Sequence, residues 1–345
     1  MNTRILVAGD HFVTTELLNE ALHREAPGKL DVTELTLPWP VTPFGRIGEV
    51  DEASGSEEQM IEALQGMEIC VTQMAPLTEK VLAASPDLRL FSVGRGGPVN
   101  ANLDAATRHG VAVTYAPGRN STATAEHAVA MMLAAARRIP ATHGDLLSGQ
   151  WRGDYYMYDS VGPELEGSTI GLIGYGAIGR KVARILGGFG ANVLVHDPYV
   201  LQEDLGTAAL LVDLPQLLKQ SRIVSLHARV TSETVGMIGV EQINQMPAGS
   251  IIVNCARGAL LDYDAVLDSL ESGHLFGAAF DVFPEEPIPD TSRLLSTPGV
   301  VLTPHLAGSS KETAQNAAAI VAGEVGRYLR GEDLQFRANP VTAAL

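Results

Sequence analysis

Short apolar runs of strand length alternate with segments of helical spacing along almost the whole chain. Strand-length runs occur at Ile5–Ala8, Ile69–Thr72, Leu90–Val93, Val111–Thr114, Thr169–Ile173, Val193–His196, Ile223–Leu226, Ser250–Val253, Ala278–Phe280 and Val300–Leu302. Helical spacing marks Thr15–His23, Ala125–Arg138, Ile178–Gly187, Leu214–Gln220, Tyr263–Glu271 and Lys311–Arg330. This alternation predicts parallel sheets covered by helices on both faces. Two such series, before and after about residue 150, predict an α/β protein with two doubly wound lobes.

The segment from His143 to Pro163 interrupts the alternation. It is rich in glycine, and Trp151, Tyr155, Tyr156 and Tyr158 lie among the glycines. The segment is typical of a covered surface loop. The alternative is an aromatic flap or a subunit contact, because Trp and Tyr are enriched at interfaces.

Composition and charge narrow the class of protein. The 345 residues are 46% hydrophobic, which is enough apolar material for packed cores and excludes a disordered chain. The formal net charge of −16 disfavours binding to nucleic acid or to an anionic membrane surface. The two cysteines, Cys70 and Cys255, are too few for a disulfide framework or a cysteine-based zinc cluster.

The apolar runs also indicate the cellular location of the protein. The N-terminal run is too short for a signal-peptide core and is better explained as a first strand. No uncharged apolar run approaches the roughly 20 residues that a membrane span needs. These features predict a cytoplasmic protein.

A glycine-rich turn follows the strand Thr169–Ile173. The turn reads Gly174, Tyr175, Gly176, Ala177, Ile178 and Gly179, and a helical run follows it. In such a turn the first glycine permits the tight bend, the second lets a pyrophosphate approach the backbone, and the third allows close packing of helix on strand. The free N–H groups at the start of the helix favour the phosphate charge. The pattern predicts a dinucleotide site.

An acidic residue supports this prediction. The strand Val193–His196 ends in Asp197, 18 residues after Gly179, where a carboxylate can bind the ribose hydroxyls. A carboxylate there repels a 2′-phosphate, so NAD is favoured over NADP. The alternative is a glycine-rich turn in a domain that binds nothing, with Asp197 as a cap. Because the turn begins late in the chain, we expect a separate substrate domain before it.

Three polar sites follow later strands. Arg257 comes after Ile251–Val253, the acidic turn with Glu285 and Glu286 comes after Ala278–Phe280, and His305 comes after Val300–Leu302. Each has an ordinary explanation when taken alone: a surface ion pair, a solvated turn, a structural histidine. Together they provide a cation for a carboxylate, an orienting acid and a proton carrier. A carboxylate beside a histidine raises the pKa of the imidazole from about 6.5 towards the working pH.

The combination of these motifs resembles the D-isomer-specific 2-hydroxyacid dehydrogenase family, which includes 3-phosphoglycerate, glycerate/glyoxylate and D-lactate dehydrogenases. The resemblance runs from about Leu90 to Gly308 and is looser towards both ends. It is carried by Gly174–Gly179, Asp197, Ser225-Leu-His227, Asn254-Cys-Ala-Arg257-Gly258-Ala-Leu-Leu-Asp262, Asp281-Val-Phe-Pro-Glu-Glu286-Pro287 and Thr303-Pro-His305-Leu-Ala-Gly308.

The resemblance implies a role for each site residue. Arg257 would bind the substrate carboxylate and carbonyl, and His305 would be the general acid/base, paired with Glu286 rather than Glu285. Asp281 would hold the nicotinamide carboxamide. The implied cofactor-binding set is Gly174, Tyr175, Gly176, Ala177, Ile178, Gly179, Asp197, His227, Ala228, Cys255, Ala256, Arg257, Asp281 and His305. The Cys255 thiol itself is expected to be an inert packing group.

The resemblance also implies the domain organisation. Residues 1–118 and 310–345 would form a discontinuous flavodoxin-like substrate (catalytic) domain, and residues 119–309 a Rossmann NAD-binding domain, with a cleft between them. The family is typically dimeric through the region after Asn120, which implies a homodimer. Glu126 and His127 are expected to be structural, and no metal site is predicted.

One loop departs from the family pattern. Where relatives have Gly-Val-Gly, this chain has Gly97, Pro98 and Val99, so one backbone N–H for the substrate carboxylate is lost. Arg95 or Asn100 could replace it, and Arg119 could add a second positive charge. The predicted substrate-binding residues are Arg95, Gly96, Gly97, Asn120, Arg257 and His305. We therefore hypothesise that the substrate carries extra hydroxyls or a phosphate.

The predicted function is NAD-dependent hydride transfer to or from C2 of a small 2-hydroxy or 2-oxo acid. Two alternatives stay open. One is a dinucleotide-sensing corepressor built on the same fold, which binds and does not turn over. The other is a formate- or phosphite-type hydride enzyme, against which Glu286 argues, because formate enzymes tend to have Gln at this position.

Overall fold

The computed structural model of the chain describes residues 2–39 and 45–340. Its strands are β1 (Thr3–Gly9), β2 (Leu30–Thr36), β3 (Ile69–Thr72), β4 (Leu90–Val93), β5 (Ala112–Tyr115), β6 (Thr169–Ile173), β7 (Asn192–His196), β8 (Leu210–Leu211), β9 (Ile223–Leu226), β10 (Ser250–Asn254), β11 (Leu275–Phe280) and β12 (Val300–Leu302). Its helices are α1 (Thr15–Glu25), α2 (Glu57–Ala63), α3 (Glu79–Ala83), α4 (Leu103–Arg108), α5 (Ser121–Ala136), α6 (Ile139–Leu147), α7 (Ala177–Gly188), α8 (Gln202–Leu205), α9 (Leu214–Gln220), α10 (Val240–Ile243), α11 (Tyr263–Glu271) and α12 (Lys311–Arg330).

The chain divides into two compact units, each built on one parallel sheet. Unit 1 comprises residues 1–120 and 310–345, and unit 2 comprises residues 121–309. The sheet of unit 1 has the order β2-β1-β3-β4-β5, and that of unit 2 has the order β12-β11-β10-β9-β6-β7-β8. Every pair of neighbouring strands is parallel. The prediction of two doubly wound α/β lobes is confirmed.

Unit 1 shows why its strands are continuously apolar. Along β1, Leu6 packs into the core on one face of the sheet, whereas Ile5 and Val7 pack into the core on the other. Both faces are buried, so both sets of alternating side chains are hydrophobic. Helix α12 contributes Val321 and Val325 to the second core, and this burial makes the C-terminal segment part of unit 1.

In unit 2 the direction of strand addition reverses between β6 and β9, which are neighbours in the sheet. Helices α5 and α7 cover one face, and α9 and α11 cover the other. Crevices for ligands form beyond the carboxyl ends of the strands at such a reversal. The glycine-rich turn lies at this point, directly after β6.

Strand β2 does not appear among the predicted strands. It is an edge strand whose side chains are mostly exposed, so its sequence carries charges in place of an apolar run.

The segment from His143 to Pro163 also differs from its prediction. Helix α6 extends into the first part of the segment. The prediction of a covered loop is wrong, because Trp151, Tyr156 and Tyr158 are each at least 88% exposed. None of the helices in the described ranges is long and apolar enough to cross a membrane.

Candidate active site

His305 and Glu286 form a hydrogen-bonded pair in unit 2. His305 Nδ1 lies 2.7 Å from Glu286 Oε2. The other oxygen of Glu286 accepts the backbone N–H of Phe283 at 2.9 Å, which fixes the orientation of the carboxylate. The imidazole comes three residues after β12 and is about half exposed. The Nδ1 edge of the ring is therefore anchored, while the rest of the ring stays accessible to solvent.

The pair shifts both pKa values. The hydrogen bond to Glu286 raises the pKa of His305 above its usual value, against the opposing effect of burial. Burial by itself would raise the pKa of Glu286, but the bonds from His305 and from the Phe283 N–H outweigh it and lower that pKa. The carboxylate thus stays ionised, and the imidazole keeps its proton to higher pH than a free histidine.

The loop after β10 presents Arg257. Asn254 is fully buried at the end of the strand and shapes the loop: its Oδ1 accepts the N–H of Ala256 at 3.0 Å, and its Nδ2 donates to the carbonyl of Arg257 at 2.9 Å. The Arg257 side chain is exposed. Its charge lowers the pKa of Glu286 and also lowers that of His305, so the guanidinium lies near the pair.

Gly258 explains how this loop comes so close to the acidic turn. A Cβ at Gly258 would lie 2.1 Å from the carbonyl oxygen of Phe283, so only glycine allows the two backbones to touch. Tyr263 adds a second link, since its buried hydroxyl donates to the carbonyl of Val282 at 2.6 Å. The loop of Arg257 and the turn of Glu286 are therefore held against each other.

Asp281 is fully buried and holds the loop of His305. Its Oδ1 accepts the Thr303 hydroxyl at 2.6 Å and the Leu306 N–H at 2.8 Å, and its Oδ2 accepts the Ala307 N–H at 2.8 Å. His305 itself has a φ of 53°, in the left-handed region that non-glycine residues seldom adopt. The bonds on either side of His305 maintain this conformation. His127 joins the same network, with Nε2 3.0 Å from Thr303 Oγ1.

The three glycines after β6 have three different surroundings. Gly174 has a φ of 101°, and a Cβ there would lie 2.7 Å from the backbone of His227 and Ala228. A Cβ at Gly179 would lie 2.3 Å from the carbonyl oxygen of Gly174. A Cβ at Gly176 meets nothing within 4 Å. The first and third are thus required by packing, whereas the second faces open space.

The neighbouring residues complete this turn. Asp197 Oδ2 accepts the N–H of Tyr175 at 2.7 Å, and Oδ1 accepts that of Tyr199 at 2.9 Å, so the carboxylate also anchors the turn to the end of β7. His227 Nε2 lies 3.0 Å from Ser225 Oγ, and burial lowers the pKa of His227 to about 4. Burial thus favours the neutral form of His227 near pH 7.

Comparisons with known proteins place this unit. The family model "D-isomer specific 2-hydroxyacid dehydrogenase, NAD binding domain" matches residues 129–307. A glyoxylate reductase of Korarchaeum cryptofilum is 36% identical over 286 residues, which cover 82% of this chain and 86% of the relative.

The chain belongs to the D-isomer specific 2-hydroxyacid dehydrogenase family.

Further relatives share this family. A D-3-phosphoglycerate dehydrogenase of Archaeoglobus fulgidus is 36% identical over 294 residues. That match covers 84% of this chain and 55% of the relative, so the chain spans about half the length of such curated relatives. Among solved structures, a D-lactate dehydrogenase from Treponema pallidum superposes with a TM-score of 0.80 at 26% identity, covering 98% of this chain and 100% of that chain.

The residues at the glycine-rich turn fit NAD, the cofactor of this family's domain. Helix α7 begins at Ala177 without a side-chain cap, so its first N–H groups are free for a pyrophosphate. Open space at Gly176 lets the phosphates approach the backbone. A carboxylate has about four acceptor positions, so Asp197 can bind ribose hydroxyls while it holds the turn. Cys255, predicted to be inert, is buried, and burial raises the pKa of its thiol.

The residues of unit 1 that are predicted to bind substrate have different surroundings. Arg95 donates through Nη1 to the carbonyl of Glu52 at 3.0 Å and forms an ion pair with the Glu52 carboxylate. Gly96 and Gly97 both face open space. Asn100 is fully buried and donates to the carbonyl of Ala75 at 2.7 Å, so it is not a replacement for the lost substrate donor. Asn120 ends the first segment of unit 1, just before α5.

The local sequence pattern predicts no role for Asn254, Gly258 or Tyr263. Their effect is to position Arg257 and Glu286, through contacts between strand ends that are far apart in the chain. An asparagine at the end of a buried strand is the one signal in the sequence, because a buried amide must find partners. The roles of Gly258 and Tyr263 depend on which loop lies opposite, which no local pattern reveals.

Proposed function

We propose that this protein is an NAD-dependent oxidoreductase acting at C2 of 2-hydroxy and 2-oxo acids. The observation that carries the proposal is the 2.7 Å contact between His305 Nδ1 and Glu286 Oε2, with Arg257 close enough to affect both pKa values. All three residues follow strands of the NAD-binding unit at one edge of its sheet.

His305 is the proton carrier in this proposal. Its Nδ1 is occupied by Glu286, so Nε2 is the nitrogen that exchanges a proton with the substrate oxygen. During reduction Nε2 donates its proton to the carbonyl oxygen as that oxygen gains charge. During oxidation Nε2 accepts the hydroxyl proton. The Glu286 carboxylate stabilises the imidazolium and fixes the ring.

Arg257 is the substrate anchor. Its guanidinium presents N–H groups in a fixed fork that matches the two oxygens of a carboxylate. The same positive charge polarises the adjacent C2 carbonyl. A nicotinamide cofactor held at the glycine-rich turn would supply the hydride chemistry at C2: reduction would consume one 2-oxo acid, one NADH and one proton and would yield one 2-hydroxy acid and one NAD⁺.

The test is NADH consumption by the full chain with glyoxylate, hydroxypyruvate, pyruvate, 2-oxoglutarate and longer sugar 2-oxo acids. At least one substrate should be reduced, and His305→Ala should lower kcat by about 10²- to 10⁴-fold, the usual contribution of a general acid. Binding of NADH without turnover of any acid would favour a dinucleotide sensor. NADH formation from formate or phosphite, with no reduction of any 2-oxo acid, would favour a formate- or phosphite-type hydride enzyme.

We also propose a homodimer. Trp151, Tyr156 and Tyr158 are each exposed on a glycine-rich segment of unit 2, and Trp and Tyr are enriched at subunit contacts. Sedimentation velocity of the full chain tests this assembly.

A further inference from the structure

Four neighbouring strands of unit 1 are each followed, within four residues, by a polar side chain. Asp10 follows β1, Gln73 follows β3, Arg95 follows β4, and Arg119 lies four residues after β5. These strands are adjacent and parallel in the order β1-β3-β4-β5, so their carboxyl ends meet at one edge of the sheet. The direction of strand addition reverses between β1 and β3, the place where ligands bind in sheets of this type.

Arg119 is the most unusual member of this group. Its Nε and Nη1 are buried and make no hydrogen bond to any residue that the structure describes. Within the same ranges, no carboxylate oxygen lies within the 4.0 Å of an ion pair. The guanidinium lies 5.9 Å from the ring centroid of Phe12. Burial and the nearby charge of Arg95 lower the pKa of Arg119 to about 10, so the side chain remains a cation.

The surrounding groups do not satisfy this cation. Asp10 uses its Oδ1 for the backbone N–H groups of Phe12 and Val13, at 2.7 and 2.8 Å. Its charge reaches Arg119 only at a distance. Arg95 is neutralised by Glu52. Among the residues that the structure describes, the Arg119 donors Nε and Nη1 are therefore buried without an acceptor.

Such an arrangement is costly in a folded protein. A buried donor without an acceptor costs about 1–3 kcal/mol, and more when the group is charged. An anion would supply the missing acceptors, and the guanidinium fork suits carboxylate and phosphate oxygens. Open space at Gly96 and Gly97 adjoins Arg95 in the chain. Proteins retain such a destabilising arrangement where it serves a function.

We propose that Arg119 is an anion-binding site of unit 1 that selects 2-oxo acids bearing a second anionic group, either a phosphate ester or a carboxylate. The assignment of that anion to the substrate rests on the proposed function. The binding of an anion at Arg119 does not.

Steady-state kinetics test the substrate assignment with matched pairs: hydroxypyruvate against its phosphate ester, and 2-oxovalerate against 2-oxoglutarate. Arg119→Met should raise KM for the member with the second anionic group by roughly 10- to 150-fold, the equivalent of 1.5–3 kcal/mol for a hydrogen bond to a charged group. KM for the member with only the 2-oxo carboxylate should stay the same. Arg119→Lys should fall between, because it keeps the charge and loses the fork. The control is Arg24→Met on exposed α1.

The two pairs separate the two sources of the anion, since one tail is a phosphate and the other a carboxylate. An unchanged KM in Arg119→Met for every substrate with a second anionic group would overturn the selection of substrate by this residue. So would a wild-type preference, in both pairs, for the member with only the 2-oxo carboxylate.

Direct binding tests the site without turnover. At saturating NAD, which occupies the pyrophosphate site, inorganic phosphate should raise the Tm of the wild-type chain and of Arg24→Met, and should not raise that of Arg119→Met. If no acid is turned over but this difference is present, the anion site stands and the proposed function fails. Without ligand, Arg119→Met should melt no lower than wild type, since no hydrogen bond is lost. A lower Tm with no phosphate effect would show a structural arginine and overturn the proposal.

Discussion

Asp281 Oδ1 accepts the backbone N–H of Leu306 at 2.8 Å, which ties the end of β11 to the residue after His305. This bond joins residues 25 positions apart in the chain and passes through a fully buried carboxylate. Because His305 has a positive φ, its backbone would relax without such a restraint. A carboxylate expected to contact the cofactor therefore also positions His305, the proposed proton carrier.

Replacing Asp281 with Asn should lower both stability and kcat. The amide presents N–H₂ where Oδ2 accepts the Ala307 N–H, so two donors face each other in a buried site. The free energy of unfolding should fall by about 1–3 kcal/mol. Thermal unfolding and kcat with the best substrate check this. Asp268→Asn, at an exposed carboxylate, is the control. A Tm equal to that of the control would contradict the role given to Asp281.

The pH profile should report the pairing of His305 with Glu286. The pKa of His305 is raised by Glu286, so reduction, which needs the protonated ring, is lost only as pH rises through that raised pKa. In Glu286→Gln the pKa of His305 falls, and the alkaline limb of kcat/KM for reduction should move to lower pH. Oxidation, which needs the neutral ring, should persist to lower pH in the variant.

Glu285→Gln provides a matched control one residue away, and its profile should overlay that of wild type. If Glu286→Gln left both limbs in place, His305 would not be the titrating group, and the proposed mechanism would lose its proton carrier.

Two glycine substitutions should separate cofactor binding from folding. Gly176→Ala adds a methyl group to open space, so the Tm of the protein without cofactor should be unchanged while NADH binds more weakly. Gly179→Ala drives a methyl group against the Gly174 carbonyl and should lower the Tm. Fluorescence titration with NADH and thermal unfolding measure the two effects. Equal NADH affinity in Gly176→Ala and wild type would place the phosphates elsewhere.

The exposed aromatic side chains of the segment from His143 to Pro163 should control the oligomeric state. Trp151→Ser combined with Tyr158→Ser removes two side chains that are 88% and 90% exposed, and should shift a dimer towards monomer in sedimentation velocity. Tyr199→Ser changes an equally exposed tyrosine, at 83%, outside the segment. A dimer that survives the double substitution would assign the contact to another surface.

Much of the fold follows from local pattern. Strands such as β3, β4 and β9 have the bounds expected from their apolar runs, because a strand buried on both faces is hydrophobic throughout. The glycine-rich turn and the strand-end residues Arg257, Glu286 and His305 are equally visible, because a parallel sheet collects its carboxyl ends at one edge. Edge strand β2 escapes this reasoning, since an exposed strand needs no apolar run.

The sequence by itself determined the alternation of strands and helices, the dinucleotide turn and the types of residue available for chemistry, since each depends on neighbours in the chain. Only the tertiary structure decided that Asn254 and Gly258 set the Arg257 loop, that Asp281 holds His305, and that Arg119 Nε and Nη1 are buried without an acceptor in the described part of the chain. The physical reason is that hydrogen-bond satisfaction and close backbone approach depend on which distant segments meet, and no local pattern of residues records that.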